Sequence, residues 1–160
     1  MKLLQLICRK DKHDDEDSKR EMDKAPRIIP TSQSPQDLVL LLDKVNQRLK
    51  VKEAVILDLH GNVLHATPSW PLLLDDGHKM AKVLSVSPTP GLWKVFIFGQ
   101  DFHCFHCDSD QTVLGTSATK VMAAHMTRKH IVVGLASERD PGSCLYEMKL
   151  VWSELEARGL

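Results

Sequence analysis

Net charge is missing from this 160-residue chain: lysine plus arginine total 21, and aspartate plus glutamate total 21. No whole-molecule field therefore draws it to nucleic acid or to an anionic membrane, and either partner would need a local basic patch. Long apolar runs are missing too. No stretch approaches the roughly 20 residues of a membrane span, and the run after Lys2 ends at Cys8, too short for the core of a secretory signal. The four cysteines, Cys8, Cys104, Cys107 and Cys144, form no regular framework, which points to a reducing, cytoplasmic setting. A chain of this length buries a real core without disulfide or metal staples. Also absent are a nucleophile elbow, a glycine-rich phosphate loop, an HExxH pair and a second CxxC. Nothing in the sequence marks an enzyme or implies a cofactor.

What is present divides the chain in two. Arg9 to Lys24 carries charges of both signs with almost no apolar residue, and "APRIIPTSQSP" follows as a linker. Such a segment buries too little surface to offset the entropy of ordering, so residues 1–33 are expected to be a disordered charged extension. Order is expected over 34–160. Ser34 before Pro35, with Asp37 near the positive end, predicts a helix start. Leu38, Leu41, Leu42, Val45 and Leu49 then recur on one face.

A hairpin is predicted next, with strands Glu53–Leu59 and Val63–Ala66 around a turn at His60 to Asn62. "LLLDDGHKMAKVLSV" predicts a helix broken near Gly77. Beyond the loop "SPTPG", short strands follow at close spacing: "WKVFIF", a turn at Gly99 and Gln100, "DFHCFHCD", a turn through Ser109 and Asp110, "QTVLGT", "KVMAAHM", a turn at Arg128 and Lys129, and "HIVVGLA". Connections this short force antiparallel neighbours, hence a meander. The last segment predicts a helix capped by Asp140 or Ser143, with Leu145, Met148, Trp152 and Leu155 inward and Gly159 just past its end. Two amphipathic terminal helices and one sheet imply an α+β layer structure.

"FHCFHC", residues 102–107, admits three readings: a metal knuckle, a thiol redox pair or a plain strand. In a strand Phe102, Cys104 and His106 face one way, and His103, Phe105 and Cys107 the other. The two thiols are then split across the sheet, whereas zinc needs ligands converging at about 2.0 to 2.3 Å. A redox CxxC commonly opens a helix, and no helix start follows Cys104. The plain strand is therefore expected. His60, His65, His78, His125 and His130 are scattered and define no cluster.

The order of elements resembles the profilin family. "HIVVGLASERDPGSC" is similar to that family's strand, glycine, acidic loop and PG.C start of the final helix. "KEAVILDLHGNVLHATP" resembles its early hairpin, and "GQDFHCFHCDSDQTVLG" falls on a pair of its strands. The resemblance covers about Ser34 to Leu160. It implies a profilin-like central antiparallel meander sheet, with the N- and C-terminal helices packed on one face and a smaller helix on the other.

By the same resemblance, the partner would be an actin monomer, with weakened affinity, gripped by the later strands and the final helix. Lys120, Arg128, Lys129, Glu147 and Lys149 are the candidates there. Atypical members of the family favour acidic phospholipids, so Lys120, Arg128 and Lys129 also define an alternative lipid-binding reading. The family's groove for proline-rich ligands needs aromatic side chains. Here the first helix has none, Leu64 stands where a tryptophan is expected, and Glu154 falls near an expected tyrosine, with Trp152 expected in the core. Polyproline binding is expected to be lost. A cytoplasmic, cytoskeletal location follows from the resemblance, with no cofactor and no metal.

Overall fold

The computed structural model describes residues 35–47, 51–71, 75–86, 91–107, 111–137 and 140–160. The charged extension, the Ser34 cap, Leu49 and the turn at Ser109 and Asp110 lie outside these residues. Helix α1 (Pro35–Asn46) leads into strand β1 (Val51–Asp58) and strand β2 (Val63–Ala66). Helix α2 (Asp76–Ser85) precedes β3 (Trp93–Ile97), β4 (Gln100–Cys107), β5 (Thr112–Thr116), β6 (Val121–Met126) and β7 (His130–Ala136), and helix α3 (Pro141–Ala157) ends the fold.

Seven strands form one antiparallel sheet in the order β2-β1-β7-β6-β5-β4-β3. Strands β3 to β7 are the expected meander. The early hairpin joins it through β1 against β7, so the first and last strands become neighbours. That pairing places both terminal helices over the same sheet face, because each is connected by a short link to one of these two strands.

Alternation then sorts the core into two layers. On the terminal-helix face, Leu41 and Leu42 of α1 and Cys144, Leu145, Met148, Val151, Trp152 and Leu155 of α3 pack with Ala54, Ile56, Leu114, Ala123 and Val132. On the opposite face, Met80, Ala81 and Leu84 of α2 pack with Trp70, Val55, Leu57, Phe102, Met122 and Val133. Each fully buried leucine contributes about 2 to 3 kcal/mol. A register shift between Val51 and Glu53 puts Val51 on the same face as Ala54, although they differ in parity. All seven residues of β7 are buried.

Helix α3 matches its expectation at both ends. The Asp140 carboxylate accepts from the Gly142 amide at 3.1 Å, fixing the N-cap. At the other end Gly159 has φ 70°, and Leu160 N–H reaches Leu155 O at 2.9 Å, the bond that closes a left-handed C-terminal motif.

Two local expectations are corrected. Gly77 does not break α2; it lies inside the helix, where a β-carbon would sit 2.0 Å from the Gly61 carbonyl oxygen. The glycine permits the β1–β2 turn to touch the helix. The turn between β3 and β4 is shifted by one residue, to Phe98 and Gly99, both with positive φ. A phenylalanine at φ 52° is strained. Its amide donates to Asp76 Oδ2 at 2.9 Å, and its ring meets Trp70 edge-on at 4.9 Å; these contacts hold it there.

Candidate interaction surface

The FHCFHC segment is a strand with its thiols on opposite faces. Phe102 and Cys104 pack on the α2 side, and Phe105 and Cys107 on the terminal-helix side, so the two sulfurs cannot meet at one ion. Cys104 is a free thiol whose ionisation burial pushes up to about 12, the reverse of a reactive thiolate. Cys144 is also free, and burial pushes it to about 12 as well. Among the described residues no group of three or more His, Cys, Asp and Glu side chains could hold a metal ion.

The five candidates do not form one cluster. Lys120 ends the β5–β6 turn, where its ammonium is paired with Glu53 at 2.6 Å and is half-buried. Arg128 and Lys129 occupy the β6–β7 turn at the other end of β6. Six strand residues at ~3.4 Å each separate the two turns by about 20 Å. Arg128 and Lys129 line a cleft of about 500 Å³ with Glu156, Gly159 and Leu160, and Lys129 Nζ donates to Gly159 O at 2.7 Å.

Glu147 and Lys149 are two positions apart on α3, and so about 200° apart around it. Glu147 faces β1 and α1, since its carboxylate accepts from the Val51 amide at 3.1 Å. Lys149 therefore lies on the other flank. Its neighbours one and two turns on confirm this: Trp152 stacks on His125 of β6 at 4.5 Å, and Glu156 approaches the same ring at 3.9 Å. Partial burial pulls the Lys149 ammonium below its usual range.

That flank of α3 borders a part of the sheet that no helix among the described residues covers. On the terminal-helix face a register row runs Lys94–His103–Thr116–Val121–Ala136. Val121 and Ala136 are buried, Thr116 is half-buried, and His103 and Lys94 are exposed. The cover ends within β4, where Phe105 is buried and His103 is not. Phe96, on the same side of β3 as Lys94, is 58% exposed. Lys94 pairs loosely with Asp101 at 3.4 Å. An exposed phenylalanine amid charged and polar neighbours, beside an α-helix and on a rigid sheet, is the composition of a protein-docking surface. The sequence reading omitted Lys94, Phe96 and His103. Their signal was the alternation in "WKVFIF", where Phe96 falls in the polar phase of a half-covered strand.

Between the terminal helices the geometry differs from an aromatic groove. Lys44 of α1 is bonded to Glu154 of α3 at 2.9 Å, and Arg158 also bonds Glu154. These bonds, led by that from Lys44, hold the Glu154 carboxyl below its usual range. Trp152 is buried, as expected, and Tyr146 is 66% exposed on the outer side of α3. Leu64 is exposed on β2.

No family model matches the chain, and no curated protein matches it. Solved structures do. Profilin IA of Acanthamoeba castellanii superposes with a TM-score of 0.61 at 20% identity, covering 74% of this chain and 98% of that one. LokiProfilin1, in a structure of its complex with rabbit actin, gives 0.64 at 14% identity over 79% of this chain and 98% of that one. A Schizosaccharomyces pombe profilin gives 0.58 at 18% identity, covering 69% and 89%. The fold is that of the profilins, as the sequence resemblance implied, with seven antiparallel strands and three helices among the described residues.

Proposed function

We propose that this profilin-like chain is a non-enzymatic binding protein of the cytoplasm that holds an actin monomer and so regulates filament assembly. The supporting observation is the open half of the terminal-helix face, where Phe96, Lys94 and His103 adjoin the Lys149 flank of α3. Sequestering a monomer needs a broad complementary face of about 800 Å² per partner and no catalytic group. The likeness to a profilin solved with rabbit actin supports the same partner. In this reading Lys149 takes part directly. Lys120 and Glu147 act only through their contacts to Glu53 and Val51 at the start of β1, and Arg128 and Lys129 lie at the far end of α3.

The proline-rich-ligand site is lost in this reading. A Lys44–Glu154 bridge stands between the terminal helices where stacking rings would be required. Assembly of pyrene-labelled actin tests the main proposal: polymerisation should slow in proportion to added protein, and an unchanged rate at large molar excess rejects it. Acidic phospholipid is the competing ligand. Retention on phosphoinositide vesicles that disappears in a Lys120→Ala, Lys129→Ala double variant, without any effect on actin, would favour the lipid instead.

A further inference from the structure

Strand β3 ends the sheet, paired with β4 on one side and with no described strand on the other. Its turn to β4 is the two-residue Phe98–Gly99, both at positive φ as in a type I′ hairpin. In such a hairpin the flanking residues, Ile97 and Gln100, exchange both backbone bonds, and bonding then alternates along the pair. Trp93, Val95 and Ile97 therefore bond inward to β4. Lys94 and Phe96 turn their N–H and C=O groups outward, where nothing among the described residues meets them. Their side chains are exposed as well.

An open edge of this kind recruits another strand. The strand that fits this one is a second copy of itself. Turned antiparallel about a two-fold axis at Val95, β3 sets Lys94 opposite Phe96 of the other copy, Trp93 opposite Ile97, and Val95 opposite its own counterpart. Lys94 and Phe96 then form the hydrogen-bonded pairs, so the outward groups of each copy satisfy those of the other. We propose that β3 is a self-association edge, through which two copies of this chain pair antiparallel about Val95 and join their sheets into one.

Side chains fix that register. On the terminal-helix face the row across the joint runs His103–Lys94 from one copy and Phe96–Asp101 from the other, so no like charges adjoin at the joint. The Lys94 stem and ammonium lie beside an aromatic ring. Asp101 holds Lys94 only loosely, at 3.4 Å in a pair exposed on both sides. On the α2 side every facing residue is apolar. Pairing about Lys94 instead would oppose two ammonium groups, and pairing about Phe96 would set Phe98, at φ 52° and off the extended line, against Lys94. The other edge, β2, is less suited, with four residues and a register shift against β1. A two-fold joint closes on itself, which gives a dimer and not a fibre. Its five paired residues span about 17 Å. So small a contact makes a weak dimer, with a dissociation constant between about 1 µM and about 1 mM.

Sedimentation velocity on the full chain should show a monomer–dimer equilibrium within that range. Phe96→Lys places an ammonium opposite Lys94 twice in the joint and should weaken the dimer about tenfold. Adding Lys94→Glu to it sets opposite charges across the joint and should restore the dimer, whereas Leu64→Lys on β2 should change nothing. A chain still monomeric at about 1 mM, a Phe96→Lys variant that pairs as the wild type does, or a double variant as weak as the single one overturns the proposal. Should Phe96→Lys fail to fold, hydrogen exchange in the native chain decides. Where half the chains are paired, the Lys94 and Phe96 amides should exchange about twofold more slowly than in dilute solution, with those of β2 unchanged. No slowing at Lys94 and Phe96, or equal slowing on β2, overturns the joint.

Discussion

Over β7 the terminal-helix face is sealed, whereas over β3, four strands away, it is open. Every residue of β7 is buried, and α3 approaches so closely that a β-carbon on Gly134 would lie 2.3 Å from Met148 Sδ. On β3 the same face presents Lys94 and Phe96 to solvent. Both strands keep a packed α2-side layer, so the difference lies in one face alone. Among the described residues, one 17-residue helix and one 12-residue helix lie on this face, too few to cover seven strands. The uncovered remainder is rigid because its other side is core, and that combination of exposure and rigidity suits a docking surface.

The covered half should break hardest. Leu155→Ala removes a fully buried side chain beneath α3 and should lower stability by about 3 kcal/mol in urea unfolding. Gly134→Ala should cost about 2 kcal/mol by overpacking against Met148; a change within 0.5 kcal/mol would mean that α3 is not seated this closely. The open half should behave in the opposite way. Phe96→Asp should leave stability within about 0.5 kcal/mol and weaken actin binding about tenfold or more, as interface anchors do. Equal actin affinity would move the docking surface elsewhere.

The smallest effect is expected at the boundary between the helices. Lys44→Ala should cost under ~1 kcal/mol, since the Lys44–Glu154 pair is largely exposed. The Glu154 carboxyl is depressed, so this contribution is present above the ordinary carboxylate range and is lost as pH falls through the folded value. The wild type and Lys44→Ala should thus converge in acid.

Much of the fold could be read from residues alone. Val63–Ala66 and His130–Ala136 have the strand bounds expected of them, because alternation and turn residues are local signals. The split of Cys104 from Cys107 was equally legible, since parity within a strand needs no other information. Gly77 was misread because its reason is the Gly61 carbonyl, sixteen positions away in sequence. Phe98 was missed as a turn residue because its positive φ is maintained by Asp76 and Trp70. The candidate site was the least legible part. Lys120, Arg128, Lys129, Glu147 and Lys149 are all present on the later strands and final helix, but which of them share a surface depends on turn polarity and helix rotation.

By itself the sequence determined the elements, their antiparallel succession and which side chains share a face, since these follow from backbone periodicity and short connections. Only the tertiary structure decided that β1 pairs with β7, that α3 leaves β3 bare, and that Lys129 of the β6–β7 turn bonds the Gly159 carbonyl. Those outcomes depend on contacts between residues remote in the chain, whose energies appear only when the layers pack.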